Sequence, residues 1–211
     1  MFRRDGEGSE RAGAERSSNE SQLNHNGQQY LVHGFGKGGP KLITLPRYID
    51  DRGSFMESFN KRVFELLALP TEFPQDNISE SKANVIRGMH LQKNNPQGKL
   101  VTAIRGHIQD VCIDLRPGET FGQTYSVKLG PTKEGFRQFF YIPPGFAHGF
   151  RSLTDCIVQY KCTTLYDKES DGGINPMESG IDWGLKEEQG VTISEKDRML
   201  PSLLDYYKAC H

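Results

Sequence analysis

From residue 41 onward the chain is written in short blocks whose apolar residues alternate with polar ones or gather in β-branched and aromatic runs. The blocks are KLITLPRYID, SFMESF, NVIRGMHLQ, KLVTAIRGHIQDVCIDL, GQTYSVKLG, RQFFYIPPG, HGFRSL and CIVQYKCTTLY, separated by Gly and Pro signals. A period of two marks a half-buried strand, and many short strands at even spacing predict an all-β fold, an antiparallel sandwich or barrel. Two segments have helical spacing instead, KRVFELLALP (61–70) and PSLLDYYKAC (201–210), and the first is expected to stop at Pro70. Residues 1–28 are rich in Gly, Ser, Glu, Arg and Asn with almost nothing apolar. They read as a disordered polar tail ahead of one domain over residues 29–211. A chain of 211 residues is long enough for one such domain with a real core.

Charge narrows the range of partners. Lys and Arg number 26 against 27 Asp and Glu, so no overall field draws the protein to nucleic acid or to a membrane surface, and an anionic ligand must be caught by local groups. Cys112, Cys156, Cys162 and Cys210 show no CxxC spacing, and three fall in apolar strand-like runs, as small buried hydrophobes do. Neither a zinc site nor a disulfide framework is expected. No run approaches the roughly 20 apolar residues of a membrane span, and no apolar signal core is present near residue 1. A soluble, cytoplasmic protein is expected.

The stretch VIRGMHLQKNNPQGKLV (85–101) concentrates candidate chemistry, because Arg87, His90 and Lys99 stand in one otherwise bland run. Arg87 and His90 are three apart and would face opposite sides of an ideal strand, but Gly88 between them permits a bulge that turns both inward. Lys99 follows the turn signal NNPQG and is expected on the partner strand of a hairpin. Ile108, Asp110, Cys112 and Asp114 alternate along RGHIQDVCIDL, so Asp110 either lines a cavity or faces water from an edge strand. His90 in HLQ and His148 in PPGFAHGF suit a metal-binding cupin barrel only in part. Two histidines without a nearby carboxylate make a poor metal site, and no metal is expected. As a base His90 fits better, because neutral imidazole is abundant near pH 7.

The ordered run RGMHLQ, QGKLV, RGHIQDVCIDLR, FGQ, YIPPGFAHGF, QYKCTTLY, GIDW and ISEKD resembles the dTDP-4-dehydrorhamnose 3,5-epimerase family over roughly residues 45–205. The resemblance implies a cupin-like jelly roll, a homodimer, and cofactor-free epimerisation of a nucleotide-linked 4-keto-6-deoxy sugar. It makes His90 the general base, Asp197 its carboxylate partner and Tyr160 the general acid on the opposite face of the ring. It sets Lys99 and Arg87 near the C4 oxygen, where an enolate develops charge. For binding, it implies that Arg52 and Glu57 reach the neighbouring subunit's nucleotide, and that Gln75, Asp76 and Asn77 line the nucleotide side. It gives His148 a sugar contact, Tyr166 a stacking role on the base, and Lys196 a place near the phosphates. Phe55 is left between ligand stacking and core packing.

Three features depart from the family pattern. Asp171 stands where Glu is common, shortening a side chain that touches the nucleotide. The segment between Ile174 and Gly180, NPMES, is about two residues short and lacks a WDDP-like run, which leaves the base unassigned. The polar tail has no counterpart. The resemblance leaves a mono-epimerase, an epimerase of another nucleotide-linked 4-keto sugar, and a non-catalytic sugar-binding cupin as rivals.

Overall fold

Inward-facing residues at every second position can be buried only if two sheets close on each other, and the chain does this. The computed structural model describes residues 19–131, 136–185 and 190–210. One sheet has seven strands, in the order β1 (Asn19–His25), β2 (Gln28–Gly34), β3 (Lys41–Pro46), β11 (Phe136–Ile142), β8 (Lys99–Arg105), β13 (Cys156–Cys162) and β6 (Gln75–Ser81). The other has five, in the order β10 (Thr124–Leu129), β9 (Ile108–Asp114), β12 (Phe146–Ser152), β7 (Ile86–Gln92) and β14 (Asp171–Gly173). A small ribbon of β4 (Tyr48–Asp50) and β5 (Gly53–Phe55) stands apart. All named pairings are antiparallel, so the expected all-β jelly-roll sandwich is what forms.

The alternation sorts each strand's side chains between layers. Val101 and Ala103 of β8, Val158 of β13, Ile108 and Cys112 of β9 and Phe146 and Phe150 of β12 share the core between the sheets. The outer face of the seven-stranded sheet packs Ile43, Leu45, Leu100 and Phe139 against Val63 and Phe64 of α1 (Lys61–Leu66). The outer face of the five-stranded sheet packs Val111, Ile113 and Met89 against Trp183, Ile193 and Tyr206, the last from α3 (Leu203–Cys210). Strand β12 is therefore buried at all seven positions, which hides any alternation of exposure.

Several expectations are corrected. The polar stretch 19–28 does not stay a tail: β1 pairs with β2 through the turn residues Asn26 and Gly27, at φ of 50° and 75°. An Asn-Gly pair is a two-residue hairpin signal that composition had masked. Residues 1–18 of the expected tail lie outside the described residues. Strands β7 and β8 do not form a hairpin; they belong to opposite sheets, so the NNPQG turn crosses from one layer to the other. Helix α1 ends at Leu66 rather than at Pro70 because Ala68 turns left-handed at φ 51°, with Leu69 N–H donating to Phe64 O. A four-residue helix, α2 (Glu195–Arg198), is capped by Ser194 and is too short to show periodicity.

The expected bulge in β7 is present. His90 pairs with His148 and Arg87 with Phe150, so three steps on β7 oppose two on β12. Ile86, Met89 and Leu91 consequently pack outward, while His90 turns inward. Only glycine fits at position 88: its φ is 115°, and a Cβ would lie 2.6 Å from both Gly149 Cα and His148 O. Gly88→Ala is expected to destabilise the fold by about 2–3 kcal/mol. A denaturant midpoint unchanged from wild type would show that the bulge tolerates a side chain.

Candidate active site

Inward-facing polar residues gather at one end of the sandwich and line a cleft of about 520 Å³. Arg87 and His90 enter from β7, His148 from β12, Lys99 from β8 and Tyr160 from β13, while the segment 192–197 closes one side. The cleft thus has a five-stranded wall bearing both histidines and a seven-stranded wall bearing the lysine and the tyrosine.

The first dyad is His90 with Asp197. His90 Nε2 lies 2.7 Å from Asp197 Oδ1, and Asp197 Oδ2 accepts the Gly88 N–H at 3.2 Å. The α2 cap fixes the carboxylate from behind, since Asp197 N–H donates to Ser194 Oγ at 3.1 Å. Burial pushes the Asp197 carboxyl up, but the His90 ring and the Gly88 N–H outweigh it and hold the group below its ordinary range. His90 is about one-third exposed on the cleft side while its partner is almost wholly buried. A base held by a buried carboxylate keeps its free nitrogen aimed into the cleft and has its cation stabilised.

A second dyad was missed in part by the sequence reading. His148 Nε2 lies 2.7 Å from Asp110 Oδ1, and Asp110 is fully buried. Strand β9 lies between β10 and β12, so the edge-strand reading fails, and Asp110 is buried behind His148, which lines the cleft in its place. The alternation of Asp110 and Asp114 was the available signal. The expectation that neither histidine has a carboxylate nearby is corrected: each has one at 2.7 Å, although no group of three metal-binding side chains occurs among the described residues.

Lys99 is the buried cation. Its Nζ donates to His90 O at 3.4 Å across the sandwich, and desolvation lowers its pKa. An ammonium in so dry a place gains most from an anion forming nearby. Tyr160 is half-buried on the same wall, and burial pushes its phenol up, so it keeps its proton at neutral pH. Arg87 is held at the cleft wall by Ser81 Oγ at 2.9 Å and Glu80 O at 3.1 Å, both on β6.

The remaining expected residues divide into two groups. Tyr166, Asp171, Gln75 and Lys196 form a chain of contacts at the rim: Tyr166 N–H donates to Gln75 Oε1 at 2.6 Å, and Lys196 Nζ donates to Asp171 Oδ2 at 2.6 Å. Asn77 continues inward, with Nδ2 on Cys162 Sγ at 3.5 Å, whereas Asp76 faces outward to Lys161 and Gln159. Arg52 and Phe55 are not brought to this cleft. They line a separate groove of about 490 Å³ on β4 and β5, with Arg52 paired to Asp50 at 2.6 Å. Glu57 accepts from Asn60 Nδ2 at 3.0 Å beside that ribbon. Phe55 is 70% exposed, so the core-packing reading is excluded.

Asp197→Asn replaces the carboxylate that orients His90 and stabilises its cation with a neutral amide, and is expected to slow proton abstraction by about 10²–10⁴-fold. It also changes acid stability. Because the folded carboxyl lies below its unfolded value, its stabilising effect is complete above about pH 4 and is lost as pH falls through the folded value. Urea unfolding should therefore weaken more steeply on acidification in wild type than in the variant, and parallel curves would remove the group from this role.

This arrangement has counterparts among known proteins. The family model for dTDP-4-dehydrorhamnose 3,5-epimerase matches residues 38–205. A relative of that name from Methanothermobacter thermautotrophicus is 51% identical over 164 residues, 76% of this chain and 87% of its own. One from Escherichia coli is 44% identical over 169 residues, 77% and 89% of the two chains. A solved epimerase from Legionella pneumophila, in complex with dTDP-4-keto-L-rhamnose, superposes with a TM-score of 0.75 at 40% identity over 83% of this chain and 93% of that one. The chain belongs to the dTDP-4-dehydrorhamnose 3,5-epimerase family.

Proposed function

We propose that the chain converts dTDP-4-dehydro-6-deoxy-D-glucose to dTDP-4-dehydro-L-rhamnose, inverting C3 and C5 without a cofactor. The observation that carries this reading is the meeting of the His90–Asp197 dyad, Lys99 and Tyr160 around one cleft in a member of this family. Hydrogens on C3 and C5 are both α to the C4 ketone, so removing either leaves an enolate whose charge rests on the C4 oxygen. His90 takes the proton, Lys99 with Arg87 stabilises the oxygen anion, and Tyr160 returns a proton from the other side. His148, held by Asp110, hydrogen-bonds the sugar. Tyr166 stacks on the base, Lys196 meets the phosphates, and Gln75, Asn77 and Asp171 shape the nucleotide end, whereas Asp76, expected beside them, faces away from the cleft.

The active form in this reading is a homodimer. Arg52, Phe55 and Glu57 sit on or beside an exposed ribbon away from their own cleft, available to a second copy's nucleotide. A cytoplasmic location accords with four unpaired cysteines.

Incubation with dTDP-4-keto-6-deoxyglucose in heavy water, followed by NMR, is expected to place deuterium at both C3 and C5. Label at C3 alone would make the protein a mono-epimerase, and label at neither would remove the dTDP sugar as substrate. His90→Ala should abolish exchange at both carbons, whereas Tyr160→Phe should leave exchange while blocking inversion; near-normal exchange in the first variant would displace His90 as the base. For the shared site, mixing unfolded His90→Ala and Arg52→Ala chains and refolding them should restore about a quarter of wild-type activity, the statistical share of intact sites in a two-fold dimer. Activity no greater than the sum of the two variants would place Arg52 outside the partner's site.

A further inference from the structure

We propose that Asp171 is a positioning residue: it acts on the nucleotide through Tyr166 and Lys196, setting the spacing between a base-stacking ring and a phosphate-binding cation. This rests on the nucleotide-sugar reading above. A single oxygen, Asp171 Oδ2, receives both groups, Lys196 Nζ at 2.6 Å and the Tyr166 hydroxyl at 3.1 Å. The carboxylate itself is recessed, its side chain 16% exposed against 64% for Lys196, so the lysine and the ring present themselves to a ligand more than the acid does. Asp171 opens β14, which pairs with β7 opposite Gln92, and so stands on a rigid sheet rather than on the rim loop. The loop's backbone has its own anchors, Tyr166 N–H on Gln75 and Asp167 N–H on Gln92 Oε1 at 2.7 Å. The phenol and the ammonium are what the acid adds to that framework.

The charges agree with this geometry. Burial pushes the Asp171 carboxyl up, but Lys196 and the Tyr166 hydroxyl outweigh it, keeping the group ionised across the neutral range. An ionised acceptor makes shorter and stronger bonds than a neutral one, so it can fix an exposed lysine whose many rotamers would otherwise be free. Lys196 is also the residue before Asp197, so the same ion pair ties α2 to β14.

The test is a mutant cycle read by calorimetric binding of dTDP and by steady-state kinetics. Asp171→Asn is expected to weaken dTDP binding by about 10- to 50-fold and to raise KM by a similar factor, with kcat falling by less than about threefold. Asp171→Glu, which keeps the charge, should recover most of the loss and serves as the control for folding. In a Tyr166→Phe, Lys196→Met background, adding Asp171→Asn should change dTDP affinity by less than about twofold, because nothing remains for it to position. A full-sized loss in that background would mean that Asp171 acts directly or only as scaffold, and would overturn the proposal. Failure of the wild-type chain to bind dTDP would overturn it together with the nucleotide reading, whereas wild-type binding with an additive cycle would overturn it alone.

Discussion

The close approach of Gly88 to Gly149 is the constraint from which the site follows. Two backbones that meet without side chains let β7 carry one residue more than β12 over the same span. The extra residue shifts the phase of everything after it. Without the bulge, a strand that buries Ile86 outward would turn Met89 inward and His90 away from the cleft. With it, Met89 joins the outer core and His90 joins the polar end of the inner face. The same glycine's N–H then secures Asp197, so one irregularity both aims the imidazole and helps fix its partner.

A polar cleft inside a sandwich has to be supported by the apolar core around it. The inward rows of β8, β9, β12 and β13 mix both kinds of residue, Val101 and Ala103 beyond Lys99, Cys112 beyond Asp110, and Val158 before Tyr160. The three buried carboxylates among the described residues each have a basic neighbour: Asp110 has His148, Asp114 has Arg116 and Asp197 has His90. Lys99, in the same cleft, has no carboxylate at hydrogen-bond distance. Its contacts are a carbonyl at 3.4 Å and more distant carboxylates, so its charge is poorly compensated in the free protein. A poorly compensated buried cation is costly to folding and useful to an enolate, and it is the kind of local rule-breaking that marks functional ground.

Much of this was legible in the sequence, and the reasons for the failures are specific. Alternation identifies a strand and its two faces, which is why the all-β sandwich could be anticipated. It carries no information about which strand is the neighbour, so β7 and β8 looked like a hairpin when the turn between them in fact changes sheets. Asp110 was ambiguous for the same reason: only the pairing of β9 on both sides separates an inward acid from an edge one. Composition misled at residues 19–28, where a seven-residue strand with one apolar side chain, Leu23, pairs with β2 through backbone hydrogen bonds that side chains do not advertise. The roles proposed for His90, Tyr160 and Asp197 rest on the order of eight motifs, since no local pattern relates positions 90, 160 and 197. Ser81, which holds Arg87, left no signal at all.

The change of sheets between β7 and β8 has a chemical consequence. Epimerisation through an enolate requires a proton to leave from one face of the ring and return to the other, so base and acid must stand on opposite sides of the substrate. A hairpin would have set His90 and Lys99 on one wall. In the sandwich, the imidazole dyad stands on the five-stranded wall, while Lys99 and Tyr160 stand on the seven-stranded wall, with the cleft between them. Two rigid sheets hold that separation against the pull of the buried charges, which a pair of loops would not. Under the proposed roles, the two-layered form of the fold meets the two-faced demand of the chemistry, and a crossing turn in place of a hairpin is what lets one short stretch of sequence supply groups to both layers.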